Sequence, residues 1–197
     1  MSALLECNRL FVNQKAKLIE LSAEYKIRDE EGNDVGAIRE EGQSKARKVL
    51  RALTKVDQYL THHLSVYDAS GAKVLELTRP AKVFKSRVIV RDGSGADIGT
   101  IAQQNVFGKI RFAYEDASGA ALGGINAENW RAWNFSIVDA NGAEVGRITK
   151  KWAGIGKEVF TTADNYLFEI GAEVAGPLRL LAFASAAGID LALKQDE

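Results

Sequence analysis

The chain has 197 residues, 46% hydrophobic and 26% charged, and its 26 basic residues balance 26 acidic ones. That length suits a single domain able to bury roughly two thirds of its unfolded surface without disulfide or metal support. Zero net charge argues against wholesale nucleic-acid binding, and the lone cysteine, Cys7, excludes an internal disulfide and fits a reducing, cytoplasmic setting.

Met1 to Lys15 lacks the basic start and apolar run of a signal peptide. The reading there is a loose N-terminus in which Cys7 is a passive thiol, since nothing nearby in sequence lowers its pKa. Leu10-Phe11-Val12 is the first strand.

Five similar segments follow. They read Asp29-Glu-Glu-Gly32, Asp68-Ala-Ser-Gly71, Asp92-Gly-Ser-Gly95, Asp116-Ala-Ser-Gly119 and Asp139-Ala-Asn-Gly142. The last four start 24, 24 and 23 residues apart. Asp accepts hydrogen bonds from backbone just ahead of it, which bends the chain. The glycine supplies the positive φ that closes a short hairpin loop. A second glycine follows at 36, 99, 123 and 146, and Leu75 takes that place in the second copy. Glycine within a strand suits sharp coiling or close backbone approach in a curved sheet. Alternating apolar runs flank each turn, such as Arg87-Val88-Ile-Val90-Arg and Ile110-Arg-Phe112-Ala-Tyr114. With Asn165 to Ile170 the pattern predicts about twelve strands in a sandwich or barrel.

Two segments read as helices. Residues 44–59 carry Val49, Leu50, Leu53 and Val56 on one side, as a helix packed outside a sheet does. Leu178 to Leu193 is apolar on several faces, with Arg179 and Asp190 as interruptions. It is too short to cross a bilayer, which takes about 20 apolar residues. A helix apolar all round must be buried, so the strands are predicted to close around it.

The run Phe135-Ser-Ile-Val-Asp139-Ala-Asn-Gly142-Ala-Glu-Val-Gly146-Arg-Ile-Thr-Lys150-Lys-Trp152, with Gly154-Ile-Gly-Lys157-Glu158-Val-Phe160 and Asp164-Asn-Tyr166 beyond it, resembles the phospholipid scramblase family. It is equally similar to the plant and bacterial LURP-one-like proteins. The resemblance covers residues 9–193 as one domain. It implies a mainly β, tubby C-terminal-like fold: a closed antiparallel barrel around a central C-terminal hydrophobic helix. It also implies a lipid-related or membrane-surface role, and scrambling is attributed to some animal members. Those members carry a proline-rich, cysteine-containing N-terminal region that this chain lacks. Their calcium-linked segment is matched only at its start, by Asp164 and Asn165, with Glu169 as one further carboxylate, so no metal or other cofactor is assigned.

Charge is unevenly spread. Glu20 to Glu41 holds eight acids and three bases, whereas Lys45 to Lys55 and Arg79 to Arg91 hold bases and no acid. The candidate lipid- or phosphate-binding residues are Lys45, Lys48 and Arg51, then Lys82, Lys85 and Arg87, then Lys150, Lys151 and Lys157. The competing reading is ordinary solvated charge. Gly154-Ile-Gly-Lys157 reads as a plain turn, with a small anion at its backbone amides as the alternative, and not as a nucleotide loop, because Lys151 and Glu158 break the Walker pattern. The Asp-led turns miss the ligand spacing of calcium loops. His62 and His63 are strand neighbours facing opposite sides and cannot share a metal. Trp133 reads as core, and Trp152 beside two lysines as a barrel-end cover or a membrane-interface residue. No nucleophile, base and orienting group converge, so the chain is read as non-enzymatic. The leading function is binding of anionic phospholipid or a membrane surface, peripheral to the inner face. The alternatives are a structural or protein-interaction domain in a stress or defence response, with another protein as partner, and a genuine scramblase.

Overall fold

The computed structural model describes residues 2–14, 24–41, 61–81, 85–105, 110–129, 134–151 and 165–193. The predicted outer helix at 44–59, the three tryptophans and the 153–157 loop lie outside these residues. A short helix, α1 (Ala3–Glu6), precedes twelve strands. They are β1 (Arg9–Gln14), β2 (Glu24–Arg28), β3 (Asp34–Glu41), β4 (His62–Asp68), β5 (Lys73–Arg79), β6 (Arg87–Asp92), β7 (Asp97–Gln103), β8 (Arg111–Asp116), β9 (Ala121–Asn129), β10 (Asn134–Asp139), β11 (Glu144–Lys151) and β12 (Asn165–Ile170). A long helix, α2 (Gly176–Leu193), ends the described chain.

Each strand pairs antiparallel with its neighbours in chain order, and β1 closes on β12 with Leu10 opposite Phe168. The result is the closed barrel expected from the sequence. Closure leaves no sheet edge to pair with other chains.

All five repeated turns lie at one end of the barrel. In the third, Gly95 N–H donates to the Asp92 carbonyl at 3.0 Å, and the Asp92 carboxylate accepts from the Ser94 and Ala96 amides at 2.8 and 3.0 Å. Gly95 has φ +91, which a side chain would strain. Asp68, Asp116 and Asp139 repeat this pattern. The later glycine has a separate role. A Cβ on Gly99 would stand 2.1 Å from the Glu115 carbonyl oxygen, so only glycine lets β8 approach this closely beside the bulge.

Residue alternation then fills the interior. Ile27, Ile38, Leu64, Val66, Leu75, Val90, Phe112, Ile125, Ile137 and Ile148 all face inward. α2 runs from the turn end up the middle. Leu181 through Ala187 are each at most 6% exposed, so every face of this stretch is covered. Phe183 meets Phe168 edge to face, with ring centroids 5.8 Å apart. Tyr114, fully buried in β8, shares a 2.8 Å hydrogen bond with Ser185 of the helix. Burial pushes the Tyr114 phenol far up, so it stays neutral.

The N-terminus overturns the expectation of a loose tail. Leu4 and Leu5 of α1 are 2% and 7% exposed and pack against the turn end of the barrel. Arg179, read as an interruption of the apolar run, is itself 6% exposed and bonds back to this segment. The sequence signal for this packing is the pair of adjacent leucines, Leu4 and Leu5.

Two outcomes follow. Phe183→Ala, which empties a central site, is expected to cost about 3–5 kcal/mol in urea unfolding. Hydrogen bonds, to Ser94 and Ala96 for Asp92 and to Ser118 and Ala120 for Asp116, hold both carboxyls below the usual range, and Asp68 is held down by Ser70 and Ser2. A depressed folded pKa gives stability that is present above the unfolded value, about 3.9, and is lost as pH falls through the folded one. Tm therefore drops on acidification below about pH 4, and the triple variant Asp68→Asn, Asp92→Asn, Asp116→Asn starts with a lower neutral Tm and a shallower acid slope.

Candidate functional site: a cationic patch on the outer wall

Strand alternation sorts the basic residues of the barrel. Most described cations on its outer surface are neutralised locally. Arg9 pairs with Glu169 at 3.0 Å, Arg28 with Asp34 at 2.7 Å, Lys73 with Glu76 at 3.0 Å, Arg91 with Asp97 at 2.8 Å and Arg147 with Glu144 at 2.8 Å. Lys26 also reaches Asp34, and Arg39 lies over the Tyr67 ring at 5.1 Å. Such exposed pairs contribute little stability, but each carboxylate partner cancels a charge that a ligand could otherwise use.

Three cations differ. Lys85 donates to the backbone carbonyl of Gln104 at 2.8 Å. Arg87 reaches the Thr100 hydroxyl at 3.4 Å. Arg111 holds its place through its backbone amide, which donates to the Asn105 side chain at 3.0 Å. All three are exposed, and among the described residues none of them pairs with a carboxylate.

The register brings them together. Val88 and Phe112 are buried, so Arg87 and Arg111 face outward. Arg87 lies opposite Ala102, Ala102 opposite Ala113, and the Gln104 amide bonds to the Arg111 carbonyl. Two interstrand spacings put β6 and β8 about 10 Å apart. The small side chains of Ala102 and Ala113 floor the space between, and Gln104 and Asn105 add polar groups at its end. The patch can therefore offer a shallow, positively charged seat to a phosphate-sized anion, with guanidinium donors suited to two-point contact.

The predicted candidates divide. Lys85 and Arg87 lie on one exposed stretch of the outer wall, and Arg111 was missed because it stands apart from the basic runs. Strand parity was the usable signal: it precedes the inward Phe112. Lys45, Lys48, Arg51, Lys82 and Lys157 lie outside the described residues. The backbones of Lys150 and Lys151 stand opposite Tyr166 and Asn165. Arg79, part of the same basic run as Arg87, is not on the surface at all. It shares parity with Leu75 and Leu77, is 1% exposed, and stands inside the barrel opposite His62.

At this same interior level His62, 0% exposed, bonds to the Glu40 carboxylate at 2.8 Å. His63 points outward and bonds to Thr78 at 3.1 Å, so the two histidines do face opposite sides. Among the described residues no three His, Cys, Asp or Glu side chains gather as metal ligands. The turn carboxylates already accept turn amides, and Glu169 is paired with Arg9. Between α2 and the wall, Val88, Ile101, Phe112, Ile125, Ala184, Ser185 and Gly188 line a pocket of ≈ 20 Å³, room for about one water molecule.

A family profile, Scramblase, matches residues 1–193. The chain belongs to that family, and the closed twelve-strand barrel is consistent with its tubby-like fold. The family is non-catalytic, in keeping with the non-enzymatic reading. No curated protein and no solved structure gives a significant match.

Proposed function

We propose that this member of the scramblase family binds anionic phospholipid head groups without chemical turnover, docking from the cytoplasmic side at a membrane surface. The observation that carries the reading is the contrast on the outer wall. Among the described residues Lys85, Arg87 and Arg111 have no carboxylate partner, whereas Arg9, Arg28, Arg91 and Arg147 are paired. A basic residue near an anionic bilayer contributes about 1 kcal/mol, and the attraction fades within a Debye length. Three such residues give about 3 kcal/mol, enough for weak peripheral binding. Within this reading Lys45, Lys48, Arg51, Lys82, Lys150, Lys151 and Lys157 are further candidates for head-group binding.

Head-group binding is preferred to lipid translocation because the apolar helix is enclosed by the wall, and no helix of the described residues is long and apolar enough to cross a membrane. Vesicle co-sedimentation tests the proposal. Phosphatidylserine-containing vesicles are expected to retain the protein, phosphatidylcholine vesicles to leave it in solution, and added salt to weaken retention. The variant Lys85→Ala, Arg87→Ala, Arg111→Ala should lose about a hundredfold in affinity. Equal retention by both vesicle types, or an unaffected triple variant, refutes it.

A further inference from the structure

Arg179 is a buried guanidinium that has no carboxylate partner among the described residues. Nε donates to the Leu5 carbonyl at 2.7 Å, and Nη2 to the carbonyls of Glu6 and Cys7 at 2.7 Å each and to Asn8 Oδ1 at 2.9 Å. Nη1 reaches the carbonyls of Val174 and Gly171 at 3.2 and 3.4 Å. The charge is thus held by carbonyl dipoles alone, several of them the unsatisfied last carbonyls of α1. Removing protein acceptors from a buried charge is costly unless water replaces them.

Those acceptors come from two places. Gly171 and Val174 lie just ahead of α2, while residues 5–8 belong to the N-terminal segment. Apart from the buried Leu4 and Leu5, its other polar ties to the rest of the described residues are two. Ser2 Oγ donates to Asp68 at 2.9 Å, the Asn8 carbonyl accepts from Ile170 at 2.9 Å, and Leu4 packs near Gly36. The wall strands, by contrast, share continuous ladders on both sides. A segment held by few contacts opens at lower free energy than the structure it covers.

We propose that residues 2–8 form a releasable strap across the turn end of the barrel, fastened by Arg179, and that its release, not opening of the wall, is the step that unseats the terminal helix. When the strap lifts, the guanidinium keeps only Gly171 and Val174 and takes water for the rest. Leu4 and Leu5 leave the end of the barrel, and the first turns of α2 lose their cover. Any partner that captures the N-terminal segment thereby gains control over the apolar helix. This device is independent of head-group binding.

Cys7 lies within the strap as a half-buried thiol that donates to the Ala3 carbonyl at 3.4 Å. It provides a built-in reporter in the full-length chain. Alkylation of Cys7 by iodoacetamide reads strap opening, and hydrogen exchange of Leu181 to Gly188, compared with β6 to β9, reads the helix against the wall. Arg179→Lys keeps the charge and removes the fork; Leu4→Ala loosens the strap without touching the helix. Both are expected to speed Cys7 alkylation and helix exchange by about tenfold or more, with wall exchange unchanged. If Arg179→Lys does not fold, Leu4→Ala decides. The proposal is overturned if Cys7 reacts faster while the helix stays protected, if neither variant changes Cys7, or if helix and wall always exchange together.

Discussion

A sheet of twelve strands closed on itself encloses more space than its own inward side chains can fill, and that space has to be occupied. Eight strands are roughly the number at which wall residues alone meet in the middle. Here α2 supplies the missing volume, and its composition fits the task. Ala182, Ala184, Ala186 and Ala187 keep the rod slim, while Leu181 and Phe183 reach outward to the wall. The buried Tyr114–Ser185 bond is the one polar contact in this packing that ties rod to wall directly among the described residues. Because the centre is filled, the described interior leaves room for about one water molecule and none for a larger ligand. The wall is uniform in backbone but not in charge, so side-chain pairing decides where a ligand could be received.

Alternation along the strands assigns three fates to the basic residues. Those beside a cross-strand or nearby carboxylate, such as Arg91 with Asp97, are neutralised. Arg79 is carried inside with Leu75 and Leu77, where it stands level with His62 and Glu40. Lys85, Arg87 and Arg111 are left with backbone carbonyl, hydroxyl or solvent partners on a wall floored by two alanines. The same one-residue change of parity that buries Val88 exposes Arg87. The distribution of charge on this fold is thus set by register as much as by composition.

Much of the architecture was legible in the sequence because each hairpin repeats one physical solution. Aspartate folds the turn, the first glycine takes positive φ, and in four of the five copies a later glycine admits the neighbouring backbone. Five repetitions make the barrel far easier to read than any one strand does. The terminal helix was equally legible, being too apolar for water and too short for lipid. What remained hidden depended on contacts between distant residues. Arg179 reads as an interruption until residues 5–8 are seen beside it, more than 170 positions away. Arg111 gains meaning only through its place across β7 from Arg87. Arg79 looked like part of a surface run because linear charge density ignores which face of a strand a residue takes.

The meander order has a bearing on how the molecule is made. β1 finds one of its partners in β2, but the other is β12, which leaves the ribosome only after ten further strands. Until that seam between Leu10 and Phe168 forms, the cylinder stays open and its apolar lining faces solvent. α2 follows later still, so the element that fills the interior is synthesised only after the whole wall. Contacts this remote in sequence slow folding and lengthen the life of aggregation-prone species. The open, empty half-cylinder is accordingly the state most in need of a chaperone during biogenesis.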